Sequence, residues 1–159
     1  VRARLAATVA VAALLVGGLS GCAFMTPQAT TVQYDASDGI NATVGEIEVR
    51  NALLVTADGT SASLLVNLDN TSAYGLQVKL QYEDATGTKV DDSVYVNGGS
   101  VASFGAAEAQ QIILTGLDAP AGSLLPIFVQ YGDTTGKQLL VPVLADQGDY
   151  AGLAPTAAP

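Results

Sequence analysis

Along residues 76–83, LQVKLQYE, apolar and polar side chains alternate without a break. Successive side chains of an extended strand point to opposite faces. Leu76, Val78, Leu80 and Tyr82 therefore share one face, and Gln77, Lys79, Gln81 and Glu83 the other. The pattern predicts a half-buried strand with its polar row toward water. The DATGT that follows has turn chemistry, Gly87 being free to take the positive φ of a tight reversal. Comparable runs recur as EIEVRNALLVT, ASLLVNL, KVDDSVYV, AQQIILTGL, LLPIFVQYG and QLLVPVLA. Turn-rich clusters separate them: ADGTS, DNTSAYG, NGGS, APAGS and GDTTG. About seven short strands at this spacing, without heptads, predict an all-β sandwich.

Two details refine that expectation. LLPIFVQYGDTTGKQLLVPVL reads as a hairpin, and Pro126 and Pro142 within it cannot donate to a ladder. Each is expected at an edge or a bulge, an arrangement that also discourages edge-to-edge aggregation. SFGAAEAQQIILTG has helix-forming Ala, Glu and Gln, but its β-branched Ile112 and Ile113 and its closing Thr-Gly favour a loop entering a strand.

The start of the chain follows a different pattern. VRAR holds two arginines, residues 5–19 are almost entirely Ala, Val, Leu and Gly, and no further charge occurs before Asp35. A basic segment followed by a short apolar run is the layout of a secretory signal, and the run is short of the roughly 20 apolar residues of a membrane-spanning helix. A short uncleaved anchor is the competing reading. Leu19-Ser20-Gly21-Cys22 resembles the bacterial lipobox. That resemblance implies a diacylglyceryl group on the Cys22 sulfur and removal of residues 1–21. Residues 22–39, with small polar side chains and one proline, are then a lipidated tether; residues 40–150 are the sandwich domain, and the Ala/Pro-rich 151–159 a disordered tail. The expected location is the extracytoplasmic face of the cell membrane, with membrane lipid as partner through Cys22.

Composition then narrows the chemistry. The formal charge is −9, and cleavage before Cys22 would remove Arg2 and Arg4 but no acid. Arg50, Lys79, Lys89 and Lys137 are scattered, whereas nucleic-acid binding needs clustered cations. Cys22 is the sole cysteine and there is no histidine, so Ser-His-Asp and Cys-His triads and His/Cys zinc sites are excluded for these residues. Neither G-x-S-x-G, G-x-G-x-x-G nor a P-loop pattern occurs. No catalytic residue, metal ligand or cofactor is assigned, and the chain is read as a non-enzyme.

Paired carboxylates remain. Glu83-Asp84 and Asp91-Asp92 flank the Gly87 turn, where grouped oxygens could hold Ca²⁺ or simply solvate a hairpin tip. A glycosidase pair would need aromatic sugar platforms, and the chain has no Trp. Tyr82 is expected in the core with its hydroxyl at the rim. Tyr74 and Tyr131, each before a glycine at a strand–loop junction, either pack turns or join a binding surface. The candidate binding loops are thus marked by Tyr74, Asp91, Asp92, Tyr131 and Asp133. The sequons Asn41-Ala42-Thr43 and Asn70-Thr71-Ser72 are read as turn residues.

Taken together, LSGC, the tether, SDGINATVGEIEVRNALLV, LLPIFVQYG, LLVPVL and YAGLAP resemble small actinobacterial envelope lipoproteins of the LpqE type, from Cys22 to about Pro155. Those proteins are distantly similar to the periplasmic copper-chaperone sandwich, which implies an immunoglobulin/cupredoxin-like fold. That family holds Cu(I) through spaced Met and His, and here His is absent and the sole Met25 lies in the tether. The expected role is a non-enzymatic binding or adaptor module with an envelope protein as partner. The alternatives are a metal carrier that has lost its ligands and a purely structural envelope protein.

Overall fold

A computed structural model describes residues 2, 4, 37–106 and 108–155. The chain divides into two units, Val1–Tyr34 and Asp35–Pro159. In the first only Arg2 and Arg4 are described, both helical. Leu19, Ser20, Gly21 and Cys22, on which the lipobox reading rests, lie outside the described residues. Among the described residues no helix is long and apolar enough to cross a membrane.

The second unit is all-β and sandwich-like. Its strands are β1 (Ile40–Val44), β2 (Ile47–Thr56), β3 (Ser61–Asn70), β4 (Leu76–Glu83), β5 (Lys89–Val96), β6 (Ser100–Phe104), β7 (Ile113–Thr115), β8 (Leu124–Tyr131) and β9 (Lys137–Ala145). They form one curled sheet in the order β5-β4-β8-β9-β2-β3-β6, with β1 paired to β2 and β7 to β3. All pairings are antiparallel except β2–β9. Among the described residues the strands number nine rather than about seven. The two additions are the five-residue β1 and β6, whose INATV and SVASF offer few large apolar side chains to mark them.

The curl is made at β9. Its first part pairs with β8 as far as Pro142↔Leu124, and its last part pairs with β2 from Val143↔Leu54 onward. Pro142 therefore stands at the change of partner, where a residue without an N–H removes least from either ladder. Pro126 lies one residue past Ile127↔Tyr82, the last β4–β8 pair, so β8 is locally an edge there. Both prolines meet the expectation.

β2 carries the other irregularity. Ile47 and Val49 face the core, and after a register shift between Arg50 and Leu53 the inward set becomes Ala52 and Leu54. Asn51, at φ 51°, occupies the left-handed region at this bulge. Its side-chain oxygen accepts the Gly39 N–H at 2.9 Å and its own N–H donates to Asn41 Oδ1 at 2.6 Å, so the bulge is stitched to the start of β1. An extra residue advances the two-residue period by one. The same shift turns Leu53 and Val55 outward.

Inside, Val78, Leu80 and Tyr82 of β4 and Ile127 and Val129 of β8 meet Leu64, Val66 and Leu68 of β3 in one apolar core. Two tyrosines bolt the layers together. The Tyr82 hydroxyl receives the Thr115 N–H at 3.0 Å, and the Tyr131 hydroxyl receives the Glu46 N–H at 2.9 Å. Gly45, at φ 56°, leaves the space that the Tyr131 ring occupies.

A second, smaller cluster lies on the outward side of β2. Leu53 and Val55 pack there with Ala154 and, partly buried, Leu65, Leu144, Tyr150 and Leu153. A 3-10 turn, Gly148–Tyr150, brings the chain over them. Asp146 Oδ1 accepts the Gly152 and Leu153 N–H groups, and the Tyr150 hydroxyl donates to Asp38 at 2.7 Å. Residues 151–155 were read from sequence as part of a frayed tail; the burial of Ala154 places them with the domain.

Candidate functional site

The outer face of β5-β4-β8-β9 collects the polar row read from LQVKLQYE. Directly paired residues share a face, so register identifies their neighbours. One row runs across all four strands as Asp91–Gln81–Phe128–Gln138. The next contains Ser93, Lys79 and Gln130. Toward the other end come Pro126 and Leu140, with exposed Leu124 beside Pro142. Leu124 and Leu140 are more than half exposed, at 58% and 52%, so this end is apolar and open to solvent.

Two shallow clefts lie side by side on this face. The first, about 360 Å³, is lined by Gln81, Glu83, Lys89, Pro126, Phe128 and Gln138 among others. The second, about 430 Å³, includes Lys79, Asp91, Asp92, Gln130 and Tyr131. Both fall in the size range of ligand sites. Their polar groups are pre-set by neighbours. Lys79 Nζ lies 2.7 Å from Asp91 Oδ2, and Gln81 Nε2 donates to Asp91 Oδ1 at 2.6 Å. These hydrogen bonds, first from Lys79 and then from Gln81, hold the Asp91 carboxyl below its ordinary range. Gln77 Nε2 donates to Ser93 Oγ at 2.8 Å, and Gln130 Nε2 to the Thr134 carbonyl at 3.0 Å.

Of the residues marked from sequence, Asp91, Asp92 and Tyr131 line the second cleft together. Asp133 is exposed in the β8–β9 turn, one residue beyond the cleft-lining Gly132. Tyr74 stands apart, 77% exposed in the β3–β4 loop. The roles also separate. Tyr131 pairs with inward-facing Val78 and packs against the core, its hydroxyl holding Glu46. Asp92 pairs with inward-facing Leu80 yet is exposed, an inward-register charge on an edge strand, which resists pairing with another edge.

The carboxylate pairs do not converge. Asp84 Oδ1 accepts the Thr86 hydroxyl, the Thr86 N–H and the Thr88 N–H, which closes the turn around Gly87 at φ 80°. The Thr86 hydroxyl, then the Thr88 N–H, lower the Asp84 pKa. Asp91 is held farther along the hairpin by Lys79. Among the described residues no group of three or more His, Cys, Asp or Glu side chains is arranged to hold a metal.

The sequons are settled differently from each other. Asn70 is fully buried, and its amide donates to the Tyr74 and Val96 carbonyls at 2.7 and 3.1 Å. Its Oδ1 accepts the Ser72 N–H and hydroxyl. Every polar atom of that side chain is occupied in shaping the β3–β4 turn, as the sequence reading expected. Asn41 is exposed on β1, where its Oδ1 accepts the Asn51 N–H.

The residues that sequence reasoning missed are the glutamines. Gln77 and Gln81 were legible as a polar row, but nothing in the sequence placed Gln130 and Gln138 beside them. That neighbourhood comes from β8 inserting between β4 and β9, a pairing between distant parts of the chain. No protein-family model matches this chain, and no curated protein is significantly similar to it.

Proposed function

We propose that this protein is a lipid-anchored, non-enzymatic β-sandwich of the bacterial cell envelope that binds its partner through the outer face of β5-β4-β8-β9. The observation that carries the binding reading is the pair of adjacent clefts on that face, beside exposed Leu124 and Leu140. Binding surfaces gain from rigid elements beneath them, and β4 and β8 are interior strands with a paired neighbour on each side. The anchoring reading rests on the basic start, the apolar run and Leu19-Ser20-Gly21-Cys22. Two acyl chains on Cys22 suffice for stable attachment, at about 0.8 kcal/mol per buried CH₂. The likeness to LpqE-type lipoproteins supports the same location. It brings no copper chemistry, since the domain offers no His and no Met.

Labelling of producing cells with a palmitate analogue, followed by fractionation, tests the anchor. Wild type should be labelled and membrane-bound, and Cys22→Ser should lose both properties. An unlabelled, membrane-bound wild type contradicts it. Retention of the detergent-solubilised full chain on isolated envelopes tests the surface. Leu140→Arg should abolish retention while the thermal midpoint is kept, and unchanged retention contradicts the assignment.

A further inference from the structure

From the row Asp91–Gln81–Phe128–Gln138 we infer that the open face binds a neutral glycan chain, with sugar rings over Phe128 and hydroxyls on the flanking amides. This rests on the proposed binding role of the face and names its ligand class. The row places an aromatic ring between two amides on consecutive strands, at spacings of about 4.8 Å. Gln81 is oriented by Asp91, so its amide nitrogen is engaged and its carbonyl oxygen is presented as an acceptor. The Gln138 side chain makes no hydrogen bond among the described residues and offers both donor and acceptor. Phe128 is half-buried, with its ring against Gly136, where a side chain would collide with it. A fixed ring of this kind offers a negative π-face to the C–H groups of a sugar.

Charge separates this ligand class from others. The whole chain carries −9, yet the strands of this sheet balance three lysines (Lys79, Lys89, Lys137) against three carboxylates (Glu83, Asp91, Asp92). A strongly charged ligand finds no net field there to draw it. An extended peptide cannot add to β4 or β8 as a strand, because both already have neighbours on each side, and on edge strand β5 the inward-register charge of Asp92 resists added pairing. Recognition is left to side chains, and those available are amides, the rings of Phe128 and exposed Tyr95, and a paired Lys–Asp. The clefts are adjoining and shallow, which suits a polymer lying across the strands rather than a small molecule enclosed by them.

Native affinity electrophoresis of the full chain, in non-ionic detergent, tests the inference in gels containing mannan, dextran or arabinogalactan. At least one polysaccharide should retard wild type. The double variant Gln81→Ala/Gln138→Ala should weaken that retardation at least about ten-fold, as should Phe128→Leu, each contact class being worth a factor of this order. Gln138 is exposed, and the thermal midpoint of each variant reports folding independently. Unaltered mobility in every gel overturns the inference, as does retardation that all three substitutions leave intact. If the gels show nothing while Leu140→Arg still abolishes envelope retention, the glycan is wrong and the binding face stands. If both are negative, the binding face falls as well.

Discussion

The two outer faces of the sandwich begin from similar sequence and end differently. On β2 the bulge at Asn51 turns Leu53 and Val55 outward, and the chain returns through Tyr150, Leu153 and Ala154 to cover them. On β8 and β9, Leu124 and Leu140 also face outward, and no described residue covers them. Leu144 of β9 joins the covered cluster, while Leu140 on the same side of the same strand is left in water. One strand thus crosses from a face sealed for stability to a face left open. An apolar side chain left exposed beside formed clefts points to interaction, whereas a covered one is a second core.

The largest effect expected from this difference is in packing. Leu53→Ala should cost about 2–4 kcal/mol, because the side chain is fully buried. Leu140→Ala should change stability by less than about 0.5 kcal/mol. Urea denaturation of the two variants measures both, and equal losses would erase the distinction between the faces.

The seal should also respond to pH at the alkaline end. Tyr150 donates to Asp38, and this hydrogen bond raises the tyrosine pKa above its ordinary value. A raised folded value means that the contribution is complete below about pH 10, the unfolded value, and is lost as pH climbs through the folded one. Amide exchange in residues 150–154 should accelerate over that alkaline window, and Tyr150→Phe should flatten the dependence. At the acid end, Asp58, Asp84 and Asp91 are lowered by hydrogen bonds, led respectively by the Thr60 N–H, the Thr86 hydroxyl and the Lys79 ammonium. Their contributions are present above about pH 3.9 and fade as pH falls through the folded values. The denaturation midpoint should hold from pH 7 to about 5 and fall below about 4, with Asp84→Asn showing a shallower fall.

The smallest effect concerns Ser63. It pairs with Val55, so it shares the covered face, and its buried hydroxyl has no hydrogen-bond partner among the described residues. Ser63→Ala should be neutral or stabilising by up to about 1 kcal/mol, since it removes an unsatisfied polar atom. A loss larger than that would mean the hydroxyl has a structural role.

How much of this was legible beforehand follows the same division. β4 and β5 match their sequence segments to the residue, because strict alternation and the Asp84–Thr88 turn bound them on both sides. β1 and β6 escaped notice, since five residues with small side chains carry little periodic signal. The C-terminal cover was hidden by its composition: Ala-Gly-Leu-Ala-Pro reads as a tail until Leu53 and Val55 are known to face outward. That outward turn depends on a bulge at an asparagine, which no hydrophobic pattern reveals. At the site, Asp91 and Asp92 stand out in the sequence as paired carboxylates beside the Gly87 turn and Tyr131 as a tyrosine at a strand–loop junction, and the structure brings them together in one cleft. Tyr74, at another strand–loop junction, and Asp133 do not line it. Gln130 and Gln138 needed the order β4-β8-β9, a contact across the chain that local reading does not supply.

The claim that the open face is the working surface is tested most directly by a photoreactive phenylalanine placed at position 140 or at position 101 in producing cells. Val101 is as exposed as Leu140, at 59% against 52%, but it lies on edge strand β6 away from the clefts. Irradiation should give a discrete covalent adduct to an envelope component from position 140 and none from position 101. No adduct from 140, or an equal adduct from 101, would contradict the account.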